Sequence, residues 1–180
     1  MIVFISGGAR SGKSGLAEKL ALSSCENEKG NSTMSKLVYL ATSKRSDKEM
    51  EDRITRHQKE RSATWETLEE PVDIVSVLKQ AETDSVILLD CLTIWLSNVM
   101  FYENYHEEVI KTIISDVIKQ VKLKNIRLLI VSNDVNEEIP HESDVVNRYI
   151  YTLEKIHHQL TAEAREVIQV IAGIPVYWKG

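Results

Sequence analysis

Eight residues near the amino end constrain this chain more than any other stretch: Gly7, Gly8, Ala9, Arg10, Ser11, Gly12, Lys13 and Ser14 satisfy the pattern G-x-x-x-x-G-K-[ST]. They follow the apolar run Met1, Ile2, Val3, Phe4, Ile5 almost directly and lead into Leu16, Ala17, Leu20 and Ala21 at helical spacing. A buried parallel strand, a tight loop and a helix must therefore succeed one another at the start of the chain. Gly7 and Gly12 permit backbone angles and close approaches that a side chain would block. The N–H groups of such a loop face phosphate oxygens, and the helix behind it adds its positive end. Lys13 would place charge on the outer phosphates and Ser14 would hold Mg²⁺ through its hydroxyl, so the loop calls for a nucleoside triphosphate.

Further apolar runs at residues 37–41, 86–90, 126–131 and 167–172 alternate with helical stretches. That order predicts an α/β fold, a mostly parallel central sheet with helices on both faces. Residues 174–178 could add an edge strand, where Pro175 is tolerated. The stretch from Glu107 to Lys124 repeats Val109, Ile113, Ile114, Val117, Ile118 and Val121 at helical spacing, predicting a core-covering helix. Residues 23–35 are polar and without apolar periodicity, and read as a surface loop.

At 180 residues the chain is expected to form a single nucleotide-binding catalytic domain, 1–180, with core enough to need no disulfide or structural metal. A formal net charge of −5 argues against nucleic acid as a partner, since phosphate neutralisation needs a basic stripe. Cys25 and Cys91 stand far apart and outside any metal-ligand spacing, and Cys91 reads as a small buried residue. No apolar run approaches membrane-spanning length and no signal peptide is recognised, so the expected location is the cytoplasm, where nucleoside triphosphates are available.

Two other positions carry candidate chemistry. Asp90 ends an apolar run, where a strand terminus can project a carboxylate toward Mg²⁺; the alternative is an ordinary strand-end or helix N-cap aspartate. Trp95 and Leu96, just beyond it, read as packing residues. Farther upstream, Ser46, Asp47, Lys48 and Glu49 form a capping-box pattern, and a helix begun there gathers Met50, Arg53, Ile54, His57 and Arg61 on one side. Arginines one turn before and after His57 would favour neutral imidazole, the nucleophilic form. The competing reading is a packed or solvated histidine. His106, His141, His157 and His158 lack this combination and are assigned no metal.

Several ordered segments resemble the bifunctional adenosylcobinamide kinase/adenosylcobinamide-phosphate guanylyltransferase family. They are residues 7–14; Tyr39, Leu40, Ala41, Thr42, Ser43; Asp47, Lys48, Glu49, Met50; Arg53, Ile54, His57, Arg61 and Trp65; and the run Asp90, Cys91, Leu92, Thr93, Ile94, Trp95, Leu96, Ser97, Asn98. The resemblance implies a RecA-like P-loop NTPase fold. It implies an enzyme of cobalamin biosynthesis that phosphorylates adenosylcobinamide with GTP or ATP and then transfers GMP from GTP to adenosylcobinamide phosphate. It implies a guanylylated histidine, here His57, with Lys13 the other catalytic residue. It extends the nucleotide-binding set from residues 7–14 to Ala41, Thr42, Ser43, Gln58, Lys59, Glu60, Arg61, Glu69 and Asp90, with Ser14 and Asp90 on Mg²⁺. A homotrimer is implied in the same way.

The carboxyl-terminal half departs from the family pattern. Ser132, Asn133, Asp134 and Val135 resemble its strand-end element and Ile139-Pro140 echoes the family's Ile-Val-Pro, but Asn136 replaces an expected glycine. Residues 148–154 match poorly, and His157-His158 stands near a usual Asn-Gln. Two other readings remain: a P-loop kinase of another small alcohol with a structural His57, and a non-catalytic nucleotide-binding regulatory or assembly protein.

Overall fold

The computed structural model describes residues 1–27, 36–43, 65–135 and 143–180. In chain order these form β1 (Ile2–Gly7), α1 (Lys13–Asn27), β2 (Leu37–Ala41), β3 (Trp65–Glu69), α2 (Ile74–Gln80), β4 (Val86–Asp90) and α3 (Leu92–Ser97), which runs into a π-helical turn (Asn98–Tyr102). Then come α4 (Glu107–Leu123), β5 (Arg127–Asn133), α5 (Asp144–Glu163), β6 (Glu166–Ile171) and β7 (Ile174–Lys179). The described strands make one sheet in the order β3-β2-β4-β5-β1-β6-β7. Every neighbouring pair is parallel except β6 and β7.

Strand alternation divides the core into two layers. Ile2, Phe4, Val38, Leu40, Ile87, Leu89, Leu128 and Ile130 pack on one face against α2, α3, α4 and α5. Val3, Ile5, Leu37, Tyr39, Leu88, Leu129 and Val131 pack on the other with Ala17 and Ala21 of α1. Because both faces are covered, the central strands read as unbroken apolar runs, as residues 86–89 do. Each fully buried Leu or Ile here contributes about 1.5–3 kcal/mol of transfer free energy. Trp95 is fully buried, and its indole N–H donates to the Val72 carbonyl at 2.9 Å, joining α3 to the start of α2.

Helix α4 follows its predicted span, burying Ile110, Ile114, Val117, Ile118 and Val121. Glu107 and Glu108 in its first turn and Lys122 in its last complement the helix dipole. One boundary and one strand differ from expectation. Helix α1 continues to Asn27, into the stretch read as a loop, because the serines there are accommodated within the helix: Ser23 and Ser24 return their hydroxyls to the Leu20 carbonyl at 3.0 and 2.6 Å. Strand β3 is not among the predicted apolar runs, because three of residues 65–70 are glutamates; Trp65, Thr67 and Glu69 alternate with Glu66 and Leu68, and pairing with β2 overrides the charge. The terminal strand β7 is an antiparallel edge, as its proline allows.

Candidate functional site

The sheet order sets the site. Strands β1 and β4 end at the same carboxyl edge with β5 between them, so the loop after β1 and the acid ending β4 stand one strand apart. Ligands of open parallel sheets bind at this edge.

Gly7 closes β1 where nothing larger fits: a Cβ there would lie 2.6 Å from both the Val170 carbonyl oxygen and Ser11 Oγ. Arg10 takes φ 60° and Gly12 φ 92°, folding the loop back so that Ser11 N–H donates to the Gly8 carbonyl at 3.2 Å. Helix α1 opens at Lys13, with Leu16 N–H on the Gly12 carbonyl at 3.0 Å. Its first turn carries no acidic side chain, which leaves the positive end of the dipole for an anion. The Lys13 ammonium lies across the loop and donates to the Gly8 carbonyl at 3.0 Å. Gly8, Ala9, Arg10 and Gly12 are exposed, whereas Gly7, Ser11 and Lys13 are buried and Ser14 is half-buried.

The β6–β7 turn supports the loop from the side. Ala172 (φ 48°) and Gly173 (φ 84°) form a two-residue turn with φ positive at both positions, the type I′ geometry that matches strand twist. Gly173 N–H donates to the Ser11 carbonyl at 3.0 Å. This contact is not legible from the loop motif, although the Ala-Gly pair between two apolar runs signals the hairpin itself.

Asp90 ends β4, and its register partners are Ala41 on one side and Val131 on the other, with Glu69 beyond Ala41. By alternation Glu69, Ala41 and Asp90 belong to the face that α1 covers, the face on which Lys13 and Ser14 begin their helix. Glu69 is exposed and Asp90 half-buried. The Ser14 hydroxyl and Asp90 carboxylate are hard oxygen donors, the chemistry that suits Mg²⁺. The Asp90 carboxylate accepts a hydrogen bond from the Tyr39 hydroxyl at 2.7 Å, a partner that strand patterning alone does not reveal.

Thr42 is fully buried, and its hydroxyl donates to the Cys91 carbonyl at 2.8 Å while accepting from Cys91 N–H at 2.9 Å. Asn98 donates to the carbonyls of Thr42 and Pro71 at 2.8 and 3.1 Å. These bonds clamp the ends of β2 and β4 together, so Thr42 shapes the edge through the backbone and Ser43, half-buried, follows it outward. Cys91 is buried as expected; burial first, then the Asp90 charge, pushes its thiol up, which keeps it protonated. His57 and its neighbours Gln58, Lys59, Glu60 and Arg61 lie outside the described residues, as do Arg53, the capping-box segment 46–49, Asn136 and Ile139-Pro140.

On the opposite face, Ser132 is fully buried and its hydroxyl lies 2.8 Å from His157 Nε2, tying the end of β5 to α5. Phe4 meets the imidazole edge-on, with ring centroids 5.0 Å apart. Burial, reinforced weakly by His158 and opposed by the Asp134 charge, pushes the His157 pKa down to about 4. An unfolded histidine titrates at about 6.5, so between those values the unfolded chain takes up a proton that the native site refuses. The neutral site is fully stabilising above pH ~6.5, and up to about 3 kcal/mol is lost as pH falls toward 4. His157→Asn is expected to flatten the fall in urea-unfolding free energy across that window; the same steep fall in the variant would contradict this source of acid sensitivity.

No described helix is long and apolar enough to cross a membrane. Among known proteins, the family model described as cobinamide kinase / cobinamide phosphate guanyltransferase matches residues 3–177. A bifunctional adenosylcobalamin biosynthesis protein, CobP, of Pseudomonas aeruginosa is 32% identical over 182 residues, covering 98% of this chain and 96% of its own. Its Escherichia coli counterpart, CobU, is 30% identical over 189 residues, covering 98% of each. Among solved structures, a KaiC-like protein from Pyrococcus horikoshii superposes with a TM-score of 0.52 at 14% identity, over 93% of this chain and 69% of that one, a likeness of fold alone.

Proposed function

The chain belongs to the cobinamide kinase / cobinamide phosphate guanyltransferase family, an enzyme family of α/β P-loop NTPase fold, and from that membership we propose that it performs both family reactions on a corrinoid acceptor. The observation that carries the proposal is the phosphate loop and Asp90 at one sheet edge within a full-length family match.

In the first reaction the hydroxyl of adenosylcobinamide attacks the γ-phosphorus of GTP or ATP. A new O–P bond forms, the bond to the β-phosphate oxygen breaks, and the hydroxyl proton is lost to solvent. Lys13 and the amides of residues 7–14 hold the triphosphate and stabilise the charge that develops on transfer, so most of the catalysis is alignment and electrostatics. Ser14 and Asp90 would hold Mg²⁺, which when bound neutralises phosphate charge. In the second reaction a neutral His57 nitrogen attacks the α-phosphorus of GTP and pyrophosphate leaves. A phosphate oxygen of adenosylcobinamide phosphate then displaces the histidine and takes GMP. Ala41, Thr42, Ser43, Gln58, Lys59, Glu60, Arg61 and Glu69 complete the proposed nucleotide site.

A cytoplasmic homotrimer is part of the same proposal. Support for self-association comes from β7, where alternation sets the exposed Ile174, Val176 and Trp178 along one side of an edge strand; exposed apolar surface of this kind can mark an interaction surface. The direct test is incubation with γ-labelled GTP or ATP, Mg²⁺ and adenosylcobinamide. Label should move to the corrinoid only when protein and acceptor are both present. Folded protein that binds nucleotide but labels another small alcohol instead would establish the rival kinase, and binding without any acceptor-dependent turnover would establish the regulatory protein.

A further inference from the structure

We propose that Tyr39 is a positioning residue that orients the Asp90 carboxylate for the divalent metal, an inference that rests on the metal-linked reading of Asp90. Tyr39 stands in the middle of β2 on the α1 face, and its register partner on β4 is Leu88, two residues before Asp90. Its ring lies within the apolar layer beside Ala17, Ala21 and Leu88, and it is 6% exposed. Trp65 of β3 meets that ring edge-on, with centroids 6.1 Å apart and planes at 80°, which fixes the direction of the phenol. The hydroxyl runs along the sheet toward its carboxyl edge and donates to Asp90 Oδ2 at 2.7 Å.

Among the described residues Tyr39 is the hydrogen-bond donor to this carboxylate. The Asp90 main chain is held separately, its carbonyl accepting from Thr42 N–H at 3.1 Å. Backbone clamping alone leaves the carboxylate free to turn about its terminal torsion, which has a broad, soft profile. The phenol removes that freedom by engaging Oδ2, and Oδ1 is the oxygen it leaves unengaged. A carboxylate ordered beforehand does not have to be ordered when a metal arrives, and partners of this kind tune metal affinity by about 10–100-fold. An apolar ring would fill the same space beneath Asp90; the hydroxyl is what that role would lack.

The test is Mn²⁺ binding, followed by its paramagnetic resonance signal, in the presence of a non-hydrolysable GTP analogue. Tyr39→Phe keeps the ring and should weaken Mn²⁺ binding about 10-fold, with metal-free nucleotide affinity and thermal midpoint near wild type. Asp90→Asn should weaken Mn²⁺ binding further, and adding Tyr39→Phe to it should cost nothing more, since the phenol acts through the carboxylate. Wild-type Mn²⁺ affinity in Tyr39→Phe, or in Asp90→Asn, would overturn the proposal. So would a parallel loss of metal-free nucleotide binding, which would make Tyr39 a packing residue. A wild-type protein that binds Mn²⁺ through Asp90 and Tyr39 but never phosphorylates the corrinoid would remove the proposed kinase activity and leave this inference standing.

Discussion

Lys13→Ala is expected to lower kcat/KM for acceptor phosphorylation by about 10²–10³-fold, the cost typical of deleting one preorganised group that meets developing charge. Lys13 is 8% exposed and sits at the first position of α1, with its ammonium on the Gly8 carbonyl at 3.0 Å. A cation held in a partly desolvated loop interacts with phosphate oxygens more strongly than one in open water. Once nucleotide enters, the ammonium exchanges a neutral carbonyl for phosphate oxygens, and the gain grows as charge spreads over the transferred group. Lys13→Arg should not rescue activity, because a planar guanidinium does not occupy the place of a compact ammonium. The check is steady-state kinetics with the corrinoid acceptor, alongside nucleotide binding and a melting curve. A kcat/KM within a few-fold of wild type in folded Lys13→Ala would contradict the assignment.

His57→Ala is expected to have the larger qualitative effect, because it separates the two reactions. The alanine protein should still phosphorylate adenosylcobinamide, which uses the phosphate loop and Asp90, and should produce no GMP-bearing product. Neither of two other candidate nucleophiles can take over that step; Cys91 is buried with its thiol pushed up, and His157 is engaged by Ser132 on the other face of the sheet. Product analysis by chromatography after incubation with excess GTP should therefore show phosphorylated corrinoid accumulating. Continued formation of the GMP-bearing product by His57→Ala would exclude the histidine carrier while leaving the kinase in place.

The strands nearest the site were legible in the sequence for a physical reason. Residues 86–90 lie in a sheet covered on both faces, so every position but the last had to be apolar, and the departure at Asp90 marks the edge where ligands bind. The phosphate loop was legible because its backbone demands particular residues: Gly7 meets the Val170 carbonyl and Gly12 takes φ 92°. Contacts made across the sheet left no such trace. Tyr39 looks like an ordinary strand aromatic until the register of β2 and β4 brings its hydroxyl to Asp90. Gly173 looks like a hairpin turn until the position of β6 beside β1 brings its N–H to Ser11. His157 carries no motif, and only the placement of α5 over β5 makes it a half-buried neutral partner of Ser132. Local chemistry can be read along the chain, whereas chemistry assembled from strand order cannot. His57 was singled out by helical spacing and by resemblance, and it lies outside the described residues, so its role rests on solution chemistry.

That chemistry can be measured directly. Incubating the protein with α-labelled GTP and Mg²⁺ in the absence of acceptor, then denaturing it, should leave label on the polypeptide that is released by acid and retained in base, as a phosphorus–nitrogen bond requires. The label should be lost in His57→Ala and should pass to adenosylcobinamide phosphate when that acceptor is added to the wild type. Folded, nucleotide-binding wild-type protein that takes up no α-label, or whose label persists unchanged after acceptor is added, would contradict the account.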